Sequence, residues 1–212
     1  NIGYFADGLW SHEAFNQLIA DSDISIRFVC VRYDTQDKTL EQYCNKYNID
    51  YLRDVDVNSS DFIKKLSRYN CDLMVSMSFN QIFKSEIIEL TKYKIINCHA
   101  GKLPFYRGRN ILNWVLINDE AEFGITVHYV DEGIDTGDII LQDVHSITDA
   151  DDYSTLLTRS YSACSSILYR AICLFKKGSV SGKKQNEITP IGFYCTQRKV
   201  GDENINWEDS SR

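Results

Sequence analysis

Over its first hundred residues the chain alternates short apolar runs with segments of helical period, and that order narrows the fold more than any other feature. "IGYF" (2–5), "ISIRFVCVRY" (24–33), "DLMVSMSF" (72–79) and "KIINCH" (94–99) are β-rich and bounded by turn formers, which predicts strands; "DYLRDV" (50–55) is a weaker candidate. Between them 11–21, 37–47, 58–69 and 84–91 read as helices, the first with Phe15, Leu18 and Ile19 on one face and Ser11 as its N-cap. This β-α-β-α order predicts an α/β fold, a doubly wound and mostly parallel sheet with helices on both faces.

After residue 100 the pattern changes. The loop "AGKLPFYRGR" leads to a helix over 110–118, then to strands at 123–130 and 138–144 separated by "DEGIDTG", a connection at strand ends where open α/β sheets bind ligands. A long helix is expected from about 149 to 177, with Leu156, Leu157, Ile167, Leu168, Ala171, Ile172 and Phe175 in a stripe that is core. The domain organisation expected is a catalytic domain over 1–178 and a short C-terminal extension over 179–212. In the extension "QNEITPIGFYCTQRK" reads as a short strand pair whose apolar side faces a second copy in a homodimer. The chain lacks an initiator Met and stops at "EDSSR", so it is read as the ordered part of a longer chain.

Of the 212 residues 43% are hydrophobic, enough for a sizeable core, and the formal net charge of −7 argues against a nucleic-acid partner. Seven cysteines without a C-x-x-C pair or other metal-ligand spacing read as free thiols in a reducing cytoplasm, with no metal. No run approaches a membrane span, and Gly3 and Gly8 do not form the G-x-G-x-x-G turn of a dinucleotide site.

The stretch "NCHAGKLPFYRG" (97–108) concentrates the chemistry. Asn97 and His99 alternate along one strand and so share a face at its carboxyl end. Such a pair either hydrogen-bonds the following loop or is used chemically. Asp135 favours the second if it folds back on His99, because a carboxylate beside an imidazole fixes its tautomer and suits it to acid–base work, while an amide close by can steady an oxyanion.

"NCHAGKLPFYRG" followed by "GITVHYVDEGIDTGDII" resembles the folate-dependent formyltransferase family, which includes glycinamide ribonucleotide transformylase and methionyl-tRNA formyltransferase. The family's Asn-x-His pair, Leu-Pro loop, G-x-T-x-H strand and D-x-G turn match Asn97, His99, Leu103, Pro104, Gly124, Thr126, His128, Asp135 and Gly137. The resemblance implies Asn97, His99 and Asp135 as the catalytic trio, a supporting role for His128, and 10-formyltetrahydrofolate as formyl donor. It also implies folate contacts along "SFNQIF", with Phe79, Gln81 and Ile82, and at Asp131.

For the acceptor, "ADGLWSHEAF" lacks the Gly-Ser-Asn phosphate loop of the ribonucleotide enzymes, and initiator-tRNA formylation calls for a basic C-terminal domain, whereas the given stretch after 180 is short and the whole acidic. "GYFADGLWSHEAF", "FYRGRNILNW" and "RKVGDENINW" look most like bacterial sugar N-formyltransferases, which implies a dTDP-linked 3- or 4-amino-dideoxyhexose destined for surface polysaccharide. Arg107, Arg109 and Asn110 before a helix are then expected to meet a diphosphate, with Lys102 adding charge, Tyr106 nearby, and Trp10 stacking on a base or sugar. Methionyl-tRNA formylation, formyltetrahydrofolate hydrolysis and a catalytically silent sugar-nucleotide-binding protein are the alternatives.

Overall fold

A computed structural model of the chain describes residues 1–202. The ending "ENINWEDSSR" of the C-terminal extension, which includes the last five residues of "RKVGDENINW", lies outside the described residues.

Strands β1 (Ile2–Ala6), β2 (Ile26–Val31), β3 (Asp50–Arg53), β4 (Leu73–Met77) and β5 (Ile95–His99) form the parallel part of the main sheet. A two-residue strand β6 (Arg107–Gly108) stands apart from it, and β7 (Glu122–Tyr129) and β8 (Ile139–Ser146) complete the sheet antiparallel, in the order β3-β2-β1-β4-β5-β7-β8. The chain order reverses between β1 and β4, which sets a crevice at the carboxyl ends of the central strands.

The helices are α1 (Leu9–Ile19), α2 (Lys38–Tyr47), α3 (Ser60–Leu66), α4 (Ser85–Ile88), α5 (Ile111–Ile117) and α6 (Tyr153–Lys176). The strand runs are apolar throughout because the central strands are covered on both faces. In β1, Ile2, Tyr4 and Ala6 join the core beneath α1, α2, α5 and α6, while Phe5 joins the one beneath α3 and α4. Phe5 meets Phe28 and Phe83 edge-on at 5.6 and 4.9 Å, and burying such a ring stabilises the fold by roughly 2–3 kcal/mol.

The long helix begins where Asp152 and Thr155 cap each other in a reciprocal box, and its stripe of Leu156, Ile167, Leu168, Ala171, Ile172 and Phe175 is buried; Leu157 is half-buried. Two local expectations are corrected. Ser11 does not cap α1: the helix starts from Gly8 at φ 70°, a conformation that suits glycine, and the Ser11 hydroxyl donates back to the Gly8 carbonyl at 2.7 Å. The segment 185–199 forms no strand pair of its own; its strand β9 (Tyr194–Cys195) pairs in parallel with β6. All seven cysteines are free. No helix among the described residues is long and apolar enough to cross a membrane.

Candidate active site

β5 delivers Asn97 and His99 to one face of the sheet at its carboxyl end, and the antiparallel register sets His128 of β7 directly opposite Asn97 and Thr126 opposite His99. Cross-strand partners of this kind have side chains within contact range. The Asn97 Nδ2 lies 3.2 Å from His128 Nε2, and the His128 Nδ1–H donates to the Tyr129 carbonyl at 2.7 Å. With Nδ1 committed, the remaining ring nitrogen, Nε2, is the edge that faces both the Asn97 amide and the cleft carboxylate of Asp135.

His99 is oriented in the same manner. Its Nε2–H donates to the Tyr106 carbonyl at 2.7 Å, so Nδ1 is the nitrogen that exchanges a proton. Gly101 permits that bond, since a Cβ there would lie 2.3 Å from the Tyr106 oxygen and 2.4 Å from the imidazole Nε2.

Asp135 folds back as expected. Its Oδ2 lies 3.6 Å from His99 Nδ1, its Oδ1 3.4 Å from His128 Nε2, and Oδ2 accepts the Gly108 N–H at 2.9 Å. Burial by itself would raise the carboxyl pKa. The charge of His99, the hydrogen bond and charge of His128 and the Gly108 N–H outweigh it and hold Asp135 well below the usual carboxylate range. An ionised carboxylate between two imidazoles, with an amide beside them, can stabilise an imidazolium at His99 and a developing oxyanion at Asn97.

These groups line a cleft of about 620 Å³. Phe79, Gln81, Ile82 and Asp131 line it too, but two of them use their side chains structurally. Gln81 accepts from Val57 N–H and donates to the Asp54 carbonyl, and Asp131 accepts from Gly133 N–H and the Thr136 hydroxyl. Phe79 stacks on Phe83 at 5.6 Å, whereas Ile82 is 57% exposed.

The residues expected to bind the acceptor divide. Trp10, Arg109 and Asn110 line the cleft, Trp10 packing edge-on against Tyr161 at 4.8 Å. Arg109 also bonds Gln197 Oε1 at 3.2 Å, and the Asn110 side chain accepts the Arg198 N–H at 3.0 Å. Lys102, Tyr106 and Arg107 do not line it. Lys102 is paired with Glu122. The buried Tyr106 hydroxyl donates to Glu120, and burial together with that carboxylate pushes it up to about 12. Arg107 forks onto Gln185 Oε1 at 3.0 and 2.6 Å and lies over the Tyr194 ring. Of the residues expected to meet a diphosphate, Arg109 and Asn110 stay at the cleft while Arg107 and Lys102 do not, and α5, at seven residues, is too short to present a helix-end anion site.

Two cleft residues escaped the sequence reading. Arg32 Nε and Asn80 Oδ1 are buried without a hydrogen-bond partner; the nearest carboxylate oxygen to Arg32 Nε, on Asp34, is 3.7 Å away. Leaving such atoms unsatisfied costs about 1–3 kcal/mol, a deficit that a polar ligand in the cleft removes. For Arg32, a charged residue at the end of a strand run was the only signal available.

The profile of the family described as formyl transferase matches residues 27–172. The chain belongs to this family. Among curated members, the methionyl-tRNA formyltransferase of Thermodesulfovibrio yellowstonii is 38% identical over 157 residues, covering 74% of this chain and 50% of that protein. The chain thus spans about half the length of the curated relatives it matches. Among solved structures, the N-formyltransferase of Helicobacter canadensis with folinic acid and dTDP-3-aminofucose superposes with a TM-score of 0.75 at 23% identity, covering 99% of this chain and 76% of that one. The sugar 3N-formyl transferase WlaRD, with dTDP and 5-N-formyl-THF, gives 0.71 at 24% identity, covering 92% and 69%. At these identities the likeness to the solved structures is one of fold.

Proposed function

We propose that this formyl transferase family member is an N-formyltransferase that moves a formyl group from 10-formyltetrahydrofolate to the amine of a nucleotide-linked amino sugar, in particular a dTDP-linked 3- or 4-amino-dideoxyhexose. The observation that carries the reaction is the Asp135 carboxylate set between His99 Nδ1 and His128 Nε2 beside the Asn97 amide.

His99 takes the amine proton at Nδ1 while Nε2–H stays on the Tyr106 carbonyl. Asp135 remains ionised and stabilises the imidazolium, which afterwards returns the proton to the leaving nitrogen. The Asn97 amide, held beside His128, donates to the oxygen on which negative charge grows. The donor supplies the electrophilic formyl carbon. A flat ring with a polar edge fits the cleft end where Ile82 and Ile134 expose 57% and 50% of their surface and Asn80 Oδ1 is unpartnered.

For the acceptor, Arg32, whose Nε lacks a hydrogen-bond partner, and the ring of Trp10 in the same cleft suit a phosphate and a base or sugar, and the net charge of −7 disfavours a long polyanion. The complexes of the two structural neighbours, one with dTDP-3-aminofucose and one with dTDP, support the same reading. Free thiols fit a reducing cytoplasmic setting. A second reading, formylation of methionyl-tRNA, is favoured by the curated relatives at 38% and 31% identity.

The test is a panel of dTDP- and UDP-linked 3- and 4-amino sugars beside methionyl initiator tRNA, each with 10-formyltetrahydrofolate and read by the mass gain of one formyl group. Gain on an amino sugar is expected. Gain on the tRNA alone overturns the acceptor assignment, and tetrahydrofolate released at full rate without any amine makes the protein a hydrolase. Near-normal turnover by His99→Ala would sink the mechanism.

A further inference from the structure

Gln185 is buried, at 4% exposure, and lies beyond α6 in the segment that the sequence reading set apart as an extension. Its side chain is saturated. Oε1 accepts Nε and Nη2 of Arg107 at 3.0 and 2.6 Å, and Nε2 donates to the carbonyls of Asp135 and Gly137, both at 2.8 Å. An amide has two hydrogens and two acceptor sites, and all four are engaged at the turn that carries Asp135 and the strand that faces it.

That turn needs holding. Asp135 has φ 54°, the left-handed region that L-residues with a Cβ avoid and that persists where surroundings over-determine it. Here Gln185 takes its carbonyl and the Gly108 N–H takes its carboxylate. Gly137 closes the turn so tightly against β7 that a Cβ would lie 1.8 Å from the Tyr129 oxygen. The opposite wall is fixed by β9: Arg107 N–H donates to the Phe193 carbonyl and Arg109 N–H to that of Cys195, both at 3.2 Å. Upstream, Lys183 and Ile139 exchange backbone hydrogen bonds at 2.8 Å.

We propose that Gln185 is a positioning residue of the reaction, which holds the Asp135 carboxylate against His99 through the Arg107–Gln185–turn network, so that residues 183–195 belong to the catalytic unit. The proposal rests on the reading that Asp135 and His99 act as a pair. It also assigns Arg107 to this network instead of a diphosphate.

Two variants of the full chain test it. Gln185→Leu removes all four bonds; Gln185→Glu keeps an acceptor for Arg107 but faces the two carbonyls with oxygen alone. Each is expected to lower kcat by roughly 10- to 100-fold, with KM for donor and acceptor within about threefold of wild type, because a misplacement of about an ångström carries a penalty of that order. The Asp135 carboxyl carbon, followed by ¹³C NMR as the pH falls, is expected to protonate at higher pH than in wild type, since it loses partners that hold it ionised. That readout needs no acceptor. A folded variant with wild-type kcat and wild-type Asp135 titration overturns the proposal, as does a fall in thermal midpoint with both unchanged. If Gln185→Leu does not fold, Gln185→Glu decides. Asp135→Asn is the control: full activity there means that the paired-group reading has failed, whatever Gln185 does.

Discussion

Replacing Asp135 by Asn keeps the shape of the side chain and an oxygen for the Gly108 N–H, but removes the charge that faces His99 at 3.6 Å. Two unit charges at that separation, with an effective dielectric constant of about 20, interact by roughly 4–5 kcal/mol, which is worth about three powers of ten in rate if lost only when His99 is an imidazolium. The expected outcome is a fall in kcat of about a thousandfold with KM for both substrates nearly unchanged. The assay is tetrahydrofolate release at saturating donor and amine, with a thermal scan to establish folding. The pH dependence of stability gives an independent reading. The Asp135 pKa is depressed in the folded state, so its contribution is complete above the unfolded value of about 3.9 and fades as pH falls towards the folded one. The thermal midpoint of wild type relative to Asp135→Asn should therefore decline on acidification from about pH 5 downward. A folded Asp135→Asn within about tenfold of wild-type kcat refutes the reasoning.

Asn97→Ala removes the oxyanion donor and is expected to lower kcat by about 100- to 1,000-fold in the same assay, with donor affinity by equilibrium titration little changed. Arg32→Met keeps an unbranched stem and removes the guanidinium; KM for the acceptor should rise about tenfold or more while kcat and donor KM hold, and an unchanged acceptor KM removes Arg32 from the binding site. Asp152→Ala, remote from the cleft at the start of α6, should cost about 1 kcal/mol in urea unfolding with kcat unaltered.

The strands were legible because β1, β2 and β4 are covered on both faces, and that burial writes itself into the sequence as apolar runs such as "IGYF" and "DLMVSMSF". Asn97 and His99 were legible for an equally local reason: two polar residues two apart at the end of such a run must share a face. What failed was each inference that assumed a polar side chain stays where its neighbours in sequence put it. Arg107 stands before a helix beside Arg109, yet its guanidinium is taken by Gln185, 78 residues away, and Lys102 is taken by Glu122 across the loop. Ser11 has the chemistry of an N-cap, but Gly8 supplies the positive φ that lets the helix begin a turn earlier.

The same distinction explains why Arg32 and Gln185 were missed although both border the chemistry. A strand-end arginine and a lone glutamine have no period and no spacing; their significance arises from sheet order and from a strand pairing that joins residues 107–108 to 194–195. Sequence motifs therefore identify the groups that react, because those must sit at fixed offsets along one strand or turn. The groups that hold them depend on which segments meet in space. In this chain that division runs through the turn at Asp135, whose carboxylate is announced by the motif and whose backbone conformation, at φ 54°, is held by a residue the motif does not contain.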